Sequence, residues 1–514
     1  MAADPVKEMT VETLKATHKY YAMFVDEWNF LQAAYDGIKA LIRIEAISRH
    51  ERESYKNYLR RIEQAYGFGY SKSIVDLLNF HLFKKPSQSI LPDTLTKNKQ
   101  WEQFVKDCNL MEDPFEDFLL EQSRYAGIQG HVGILVDKAS VQNQTIADEL
   151  KAGIYPYVSA YKAPAILDWE ISRDASNRPY LSYLKLLDDD GRYRIWTPGE
   201  WQIWEIVSEG AVDLQIVTAD GSKQASKTIN AGQAAKLVDS GPNQLKEIPF
   251  VWLYNLKSRY QGVGVGDIND IAYIDASIIR NLSQGEEVID YAAFPMMRKP
   301  MQEAGAGKDT DDDTGPAVVL EFDPENPESK PDWLPAVVAE PIGAIISWVG
   351  QKVAEIYRAA NIGGMAATEI QTEAKSGVAL RTEFQMLNSR LAAKSRELQK
   401  AERRIIYYWT KWQGMSEVFQ EVQVDRPKNF DIENLAEDLA NILTSRSIVI
   451  SNLFRQYLSK MVARRMLPQL SEKEMSKIDK DIDRTILEDE EGGRFQDEEE
   501  GEVSPSPEPD DSEE

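Results

Sequence analysis

The sequence predicts an α+β fold, predominantly helical, and three observations predict it. Apolar residues recur at three- and four-residue spacing in long runs near both ends of the chain. Between residues 130 and 255 the period shortens to alternating segments parted by turn residues. Beyond residue 262 helical spacing returns, in runs too long for strands.

Residues 10–85 read as helices. The stretch Tyr55–Phe83 places apolar residues at helical spacing with basic residues between them, and Lys84-Lys85-Pro86 ends it, because proline cannot continue a helix interior. A second helical block runs from Trp101 to Tyr125, its later half opened by Asp113-Pro114. Gly130 to Asp137 then reads as a short buried strand between turn residues. Strands are expected at Tyr155–Val158, Tyr180–Leu187, Tyr193–Trp196, Gln202–Ile206, Leu214–Thr218 and Phe250–Tyr254. Turns at Asp189-Asp190-Gly191 and Asp220-Gly221 imply antiparallel hairpins.

The glycine cluster Gly262, Gly264 and Gly266 reads as a flexible turn, with Asp267 as N-cap of the helix that follows and Asp270 at its third position. That helix carries Ile268, Ile271, Ile274, Ile278, Leu282, Gly285, Ile289 and Ala292 on one face and stops before Pro295. A polar segment rich in proline and glycine occupies 295–340, with one strand expected at Ala317–Phe322. A second helix begins at Pro341 and continues to Asn361. After a short loop, the longest helix of the chain is marked by Leu380, Phe384, Leu387, Leu391, Leu398, Ile405, Trp409 and Trp412. A last helical block is expected over Ile432–Ile486.

The net charge of −25 is unevenly spread. Residues 488–514 hold 14 acidic side chains against Arg494 alone, which leaves −12 for the remaining 487 residues. That run, interrupted by Gly492, Gly493, Pro505, Pro507 and Pro509, is expected to be a disordered tail. The single cysteine, Cys108, excludes an intramolecular disulfide and a cysteine-rich zinc site. No basic segment followed by an apolar run opens the chain, and no apolar stretch approaches the ~20 residues that span a bilayer, so a soluble cytoplasmic product with no membrane contact is expected.

Motifs of catalysis are not legible. His18, His50, His81 and His131 are not spaced as metal ligands, and neither a Gly-x-Ser-x-Gly elbow nor a zincin motif occurs. Gly262 to Ile268 lacks the Gly-Lys-Ser/Thr ending of an ATPase phosphate loop, and an aspartate there would repel phosphate. Asp309, Asp311, Asp312 and Asp313 lack the glycine and closing glutamate of a calcium loop. The basic residues Arg381, Arg390, Lys394, Arg396, Lys400, Arg403 and Arg404 alternate with glutamates, which reads as a salt-bridged solvent or subunit-contact face. No enzyme, cofactor or metal is expected.

The order of elements (helices, a β-rich unit, a helix, a polar excursion, a returning helix, a short loop, a very long helix) resembles the portal proteins of tailed bacteriophages. The chain looks closest to a portal family formerly known only as a phage domain of unknown function. Tyr58, Arg60 and Arg61 with the helix to Phe83 and Lys85-Pro86 are similar to that family's opening. So are Gly130 to Asp137, Tyr155-Pro156-Tyr157 with Ile166 and Asp168-Trp169, Asn243-x-Leu245 running into Ile248-Pro249-Phe250, and Ser376-Gly377-x-Ala379-Leu380. These pieces span roughly residues 50–415, and it is their order that carries the resemblance.

The resemblance implies a portal-like architecture. The wing would comprise residues 1–262 (helical to 130, β-rich from 131), the stem helices 263–294 and 341–362, and the clip 295–340. A tunnel loop would occupy 363–377, the long helix and wing return 378–430, a helical crown 431–487 and the acidic tail 488–514. The subunit would form a ring, typically of twelve copies, at the capsid vertex of the virion, after assembly in the host cytoplasm. It would conduct double-stranded DNA during packaging and ejection. Met365, Thr368, Glu369, Gln371, Thr372, Glu373 and Lys375 would face the DNA through weak, sequence-independent contacts. Lys308, Asp311, Asp312, Asp313 and Glu325 would lie in the clip facing the terminase large subunit and the head–tail adaptor. Major capsid and scaffold proteins would be further partners. The alternative is another virion head–tail connector or assembly scaffold component.

Overall fold

The computed structural model describes residues 9–293 except 52, 88, 140–147, 150–151, 209–211, 218–222 and 230–232, followed by 297–298, 332–333, 339–360 and 377–430. Beyond 430 it describes 456–457, 460, 463 and 475–484. The chain divides into two units, Met1–Phe430 and Asp431–Glu514.

The first unit opens with eight helices: α1 (Val11–Lys15), α2 (Lys19–Asp36), α3 (Ile38–Arg43), α4 (Tyr55–Gln64), α5 (Tyr70–Phe83), α6 (Asp93–Thr96), α7 (Lys99–Lys106) and α8 (Phe115–Gln129). His18 caps α2, its Nδ1 accepting from the Tyr20 amide at 3.1 Å, and its ring stacks on Trp169. The periodic run 55–83 is two helices rather than one. Gly69 takes a left-handed conformation (φ +65°) that side-chain-bearing residues avoid, so the chain turns between α4 and α5. Pro114 stands at the N-cap of α8, where its missing N–H costs nothing.

The strands are β1 (His131–Asp137), β2 (Tyr157–Lys162), β3 (Ile166–Arg173), β4 (Pro179–Leu187), β5 (Tyr193–Trp196), β6 (Glu200–Ser208), β7 (Val212–Val217), β8 (Lys223–Ile229), β9 (Gln233–Pro242) and β10 (Phe250–Tyr254). They form a three-stranded sheet ordered β10-β1-β2, a five-stranded sheet ordered β3-β4-β5-β6-β9, and the separate hairpin β7-β8, all antiparallel. β1 is buried on both faces, which explains its unbroken apolar run. Gly133 in its centre is required by packing, since a Cβ there would sit 2.1 Å from Cζ of Phe250. β3, β8 and β9 are not legible in the sequence. β9 in particular is mostly exposed, so it lacks the buried alternation that announces a strand. The N-terminal helix α1 is tied to the large sheet by the buried Lys185, which donates to the carbonyls of Thr13 and Ala16 at 2.9 and 2.6 Å.

After the two-residue strands β11 (Leu256–Lys257) and β12 (Gly264–Val265) come three long helices: α9 (Ile271–Ala293), α10 (Ala339–Ala360) and α11 (Gly377–Trp412). The 36 residues of α11 span ~54 Å. Leu391, Leu398, Ile405 and Trp409 are its inward face, and Trp409 meets Trp101 edge to face at 4.9 Å. Short strands β13 (Met297–Arg298) and β14 (Asp332–Trp333) pair with each other between α9 and α10. The strand expected at 317–322 and most of the block expected at 432–486 lie outside the described residues. In the second unit, residues 475–484 are helical, and Lys460 pairs with Asp483 at 2.5 Å.

Two details of the sequence reading are corrected. The glycine cluster is not a flexible turn. Gly264 crosses Gly130 so closely that a Cβ on it would lie 2.0 Å from the Gly130 carbonyl oxygen. Asp267 is not an N-cap either, because α9 begins four residues later and the Asp267 carboxylate turns inward to buried cations.

Candidate functional site

All twelve side chains that the resemblance assigns to the tunnel loop and the clip fall outside the described residues. Met365, Thr368, Glu369, Gln371, Thr372, Glu373 and Lys375 lie in 361–376, and Lys308, Asp311, Asp312, Asp313 and Glu325 lie in 299–331. What the structure does describe is the scaffold that leads into both segments, the helix pair α9 and α10.

The pair is antiparallel. Ile345, near the start of α10, packs beside Gly285 in the later half of α9. Further along α10, Lys352 reaches back to the earlier residues Ser277 and Asn281, donating to their side-chain oxygens at 2.6 and 2.5 Å. Val349, Val353 and Ile356 of α10 and Ile271, Ala272 and Ile278 of α9 close the apolar seam. The strand pair β13-β14, which lies between the two helices in sequence, brings residues 297–298 against 332–333.

Three polar anchors fix the pair to the body. The first joins α9 to α4. Arg61 is buried, binds both carboxylate oxygens of Glu53 at 2.8 Å, and donates to Ser283 at 3.1 Å. A planar guanidinium suits this task because it holds two partners in one fixed fork. The second joins α9 to α5. Both the amide and the hydroxyl of Ser71 donate to Asp275, at 2.9 and 2.7 Å, while burial raises that carboxyl above its ordinary range.

The third anchor lies at the root of the pair. The fully buried carboxylate of Asp267 accepts from Lys394 and from Arg390 of α11, and from Asn255 at 3.1 Å. Arg390 also donates to the Asp267 carbonyl at 3.1 Å and to the carbonyl of Ala360, the last residue of α10, at 3.5 Å. One side chain of the long helix therefore ties down the approach to α9 and the end of α10. Burial alone would raise the Asp267 carboxyl, but the charges of Lys394 and Arg390 outweigh it and hold it below the ordinary value. Burial acts the other way on Lys394, lowering its ammonium. Two cations around one carboxylate decide the balance in favour of its ionised form.

This anchor overturns the reading of the long helix's basic residues as a salt-bridged outer face. Lys400 and Arg404 fit it, pairing with Glu397 and Glu247. Arg390 and Lys394 point inward, with side-chain exposures of 16% and 3%. A signal was present, since they stand four apart on the face that also carries Leu387, Leu391 and Leu398. Their partner, 127 positions earlier in the chain than Lys394, gave no sign.

The outer flanks of the pair are apolar where helix surfaces are ordinarily polar. Tyr273 and Trp348 are about half exposed along one groove, and Ile346 and Ile289 are exposed elsewhere on the pair. Cys108, by contrast, is buried with its thiol pushed up to about 12, which leaves it inert. Among the described residues, no three His, Cys, Asp or Glu side chains cluster as metal ligands, and no helix is long and apolar enough to cross a membrane.

No family model matches the chain, and no curated protein sequence matches it. Among solved structures it is similar to a chain from the virion of a native gene transfer agent particle, at 10% identity and a TM-score of 0.39, covering 82% of this chain and 98% of that one. It is similar too to a chain from the neck of an empty gene transfer agent particle computed with C6 symmetry, at 10% identity and a TM-score of 0.38, covering 81% and 98%. At that level of likeness nothing about function transfers.

Proposed function

We propose that this chain is a portal-type ring subunit: copies assemble around a central channel at a capsid vertex and pass double-stranded DNA during packaging and ejection. The observation that carries the reading is the anchored antiparallel pair α9 and α10, closed by the β13-β14 ladder and followed by the long helix α11. Such a pair would line a channel with one face and meet neighbouring copies with its flanks. In this reading residues 295–340 are the clip offered to the terminase and the head–tail adaptor, and residues 363–377 approach the DNA.

The charge of the pair suits a conduit. Its two helices carry six acidic and three basic residues. A surface dense in lysine and arginine would grip phosphates and release counterions to do so, whereas a net-negative surface lets DNA slide. The chain itself catalyses nothing in this reading, and the packaging force comes from a separate ATP-driven motor.

The test is the mass of the purified chain in solution together with class averages of negatively stained particles. Rings with a central channel, near twelve copies, are expected. A monodisperse monomer that persists at high concentration and with scaffold protein added would overturn the proposal.

A further inference from the structure

The geometry points to a specific head-to-tail contact between copies, an inference that rests on the ring reading: the turn Ala65–Gly69 of one copy seats in the groove between α9 and α10 of the next. The groove, about 540 Å³, runs beside Tyr273, Arg280, Trp348 and Lys352. Tyr273 is 52% and Trp348 53% exposed, a large aromatic surface for water to cover. The turn is its counterpart, with Phe68 52% and Tyr66 42% exposed.

Their placement is what a closing ring needs. At ~100° per residue, Trp348 and Tyr357, nine positions apart on α10, point to opposite sides of that helix. Tyr357 is the end of a ladder of rings, Tyr66 to Phe68 to Tyr70 to Tyr357, with centroids 6.1, 5.8 and 6.1 Å apart. Groove and turn therefore flank the pair on opposite sides. They also stand at one height along α9, since Gly67 rests on Ile279 and the groove spans Tyr273 to Arg280. Two different patches on opposite flanks cannot make a self-complementary dimer, but they make a heterologous contact, which forms a ring when the rotation between copies closes.

The turn is built to be presented rather than to flex. Gly67 lies against Ile279 with no room for a Cβ, and the Tyr66 hydroxyl donates to Glu286 at 3.2 Å. Charge agrees as well. The groove carries Arg280 and Lys352 alongside Glu355, whose carboxylate is taken up by Arg358, and Glu63 and Glu286 accompany the turn. Like-charged flanks would repel, and these complement each other.

The experiment is site-directed cross-linking of the full chain. Phe68→Cys and Trp348→Cys are made singly and together, and Cys108 contributes no background because it is buried. On mild oxidation, a mixture of the two single variants is expected to give covalent dimers at least ten-fold above either alone, and the double variant a ladder of multimers. Equal dimer yield from one single variant alone would overturn the head-to-tail contact in favour of a symmetric one. Rings seen by microscopy without cross-links in the mixture or the double variant would refute this interface while the ring reading stands. Absence of rings under every condition would sink both. Trp348→Ala, at an exposed position, should abolish rings while leaving the melting temperature of the subunit unchanged, and rings that form normally would count against the contact.

Discussion

Lys394 and Asp267 form an ion pair shut away from solvent, and through it the long helix α11 holds the root of α9. Charges in such a place are stable only together, because each has given up its hydration. Arg390 completes the arrangement by bonding the carbonyls of Asp267 and Ala360, so three helices meet at one carboxylate.

Asp267→Asn should leave Lys394 and Arg390 without their countercharge and lower subunit stability by about 3–5 kcal/mol. Urea denaturation followed by tryptophan fluorescence measures it. Combining Asp267→Asn with Lys394→Met should cost less than the sum of the two single changes, since the second removes a cation the first has stranded. Strict additivity would show that the pair is not energetically coupled.

The same carboxylate sets an acid limit. Its folded value lies below the ordinary 3.8, so the folded state binds its proton less readily than the unfolded chain. The contribution is therefore fully present above pH 3.8 and is lost as pH falls through the lower folded value. Melting temperatures of the wild type and Asp267→Asn should converge over that window and stay apart at neutral pH. A constant gap down to the lowest pH would mean Asp267 is not the titrating group.

Arg61→Ala strands a buried Glu53 and frees α9 from α4, at an expected cost of about 3 kcal/mol. Arg61→Lys should recover only part of this, because an ammonium cannot serve both oxygens of Glu53 and the Ser283 hydroxyl in one plane. Equal stability of the lysine variant and the wild type would argue that charge alone matters there.

Gly264→Ala should destabilise by at least about 2 kcal/mol, since the added methyl meets the Gly130 backbone rather than a side chain that could swing aside. Gly350→Ala, in the exposed middle of α10 with open space around it, should leave subunit stability unchanged or raise it slightly. Thermal melts of the two variants side by side test whether the close crossing is real.

Much of the fold can be read from periodicity. The helix ending at Phe83, the strands at 193–196 and 250–254 and the long helix ending at Trp412 all follow from apolar spacing and turn residues, which act over a few positions. The break inside 55–83 escapes such a reading because both of its helices keep the same apolar period and only two glycines mark it. β9 escapes it because its residues face water. In the helix pair, the apolar seam is legible, while the half-exposed Tyr273 and Trp348 are not, since a pattern of apolar positions does not say which of them a neighbour covers.

What sequence pattern settled here is local: which segments are helix or strand, where they stop, and that the chain is a mixed fold with a helix sent out and brought back. Backbone hydrogen bonding and side-chain period operate within a few residues, so they leave a trace in the linear order of the chain. Which charges turn inward is a different kind of fact. Arg390 and Lys394 stand on the apolar face of α11, but nothing in the linear order pairs them with Asp267, and the three become a buried anchor only when α11 crosses the root of α9. Desolvation and pairing depend on what is near in space, and in this chain Lys394 and Asp267 are 127 positions apart.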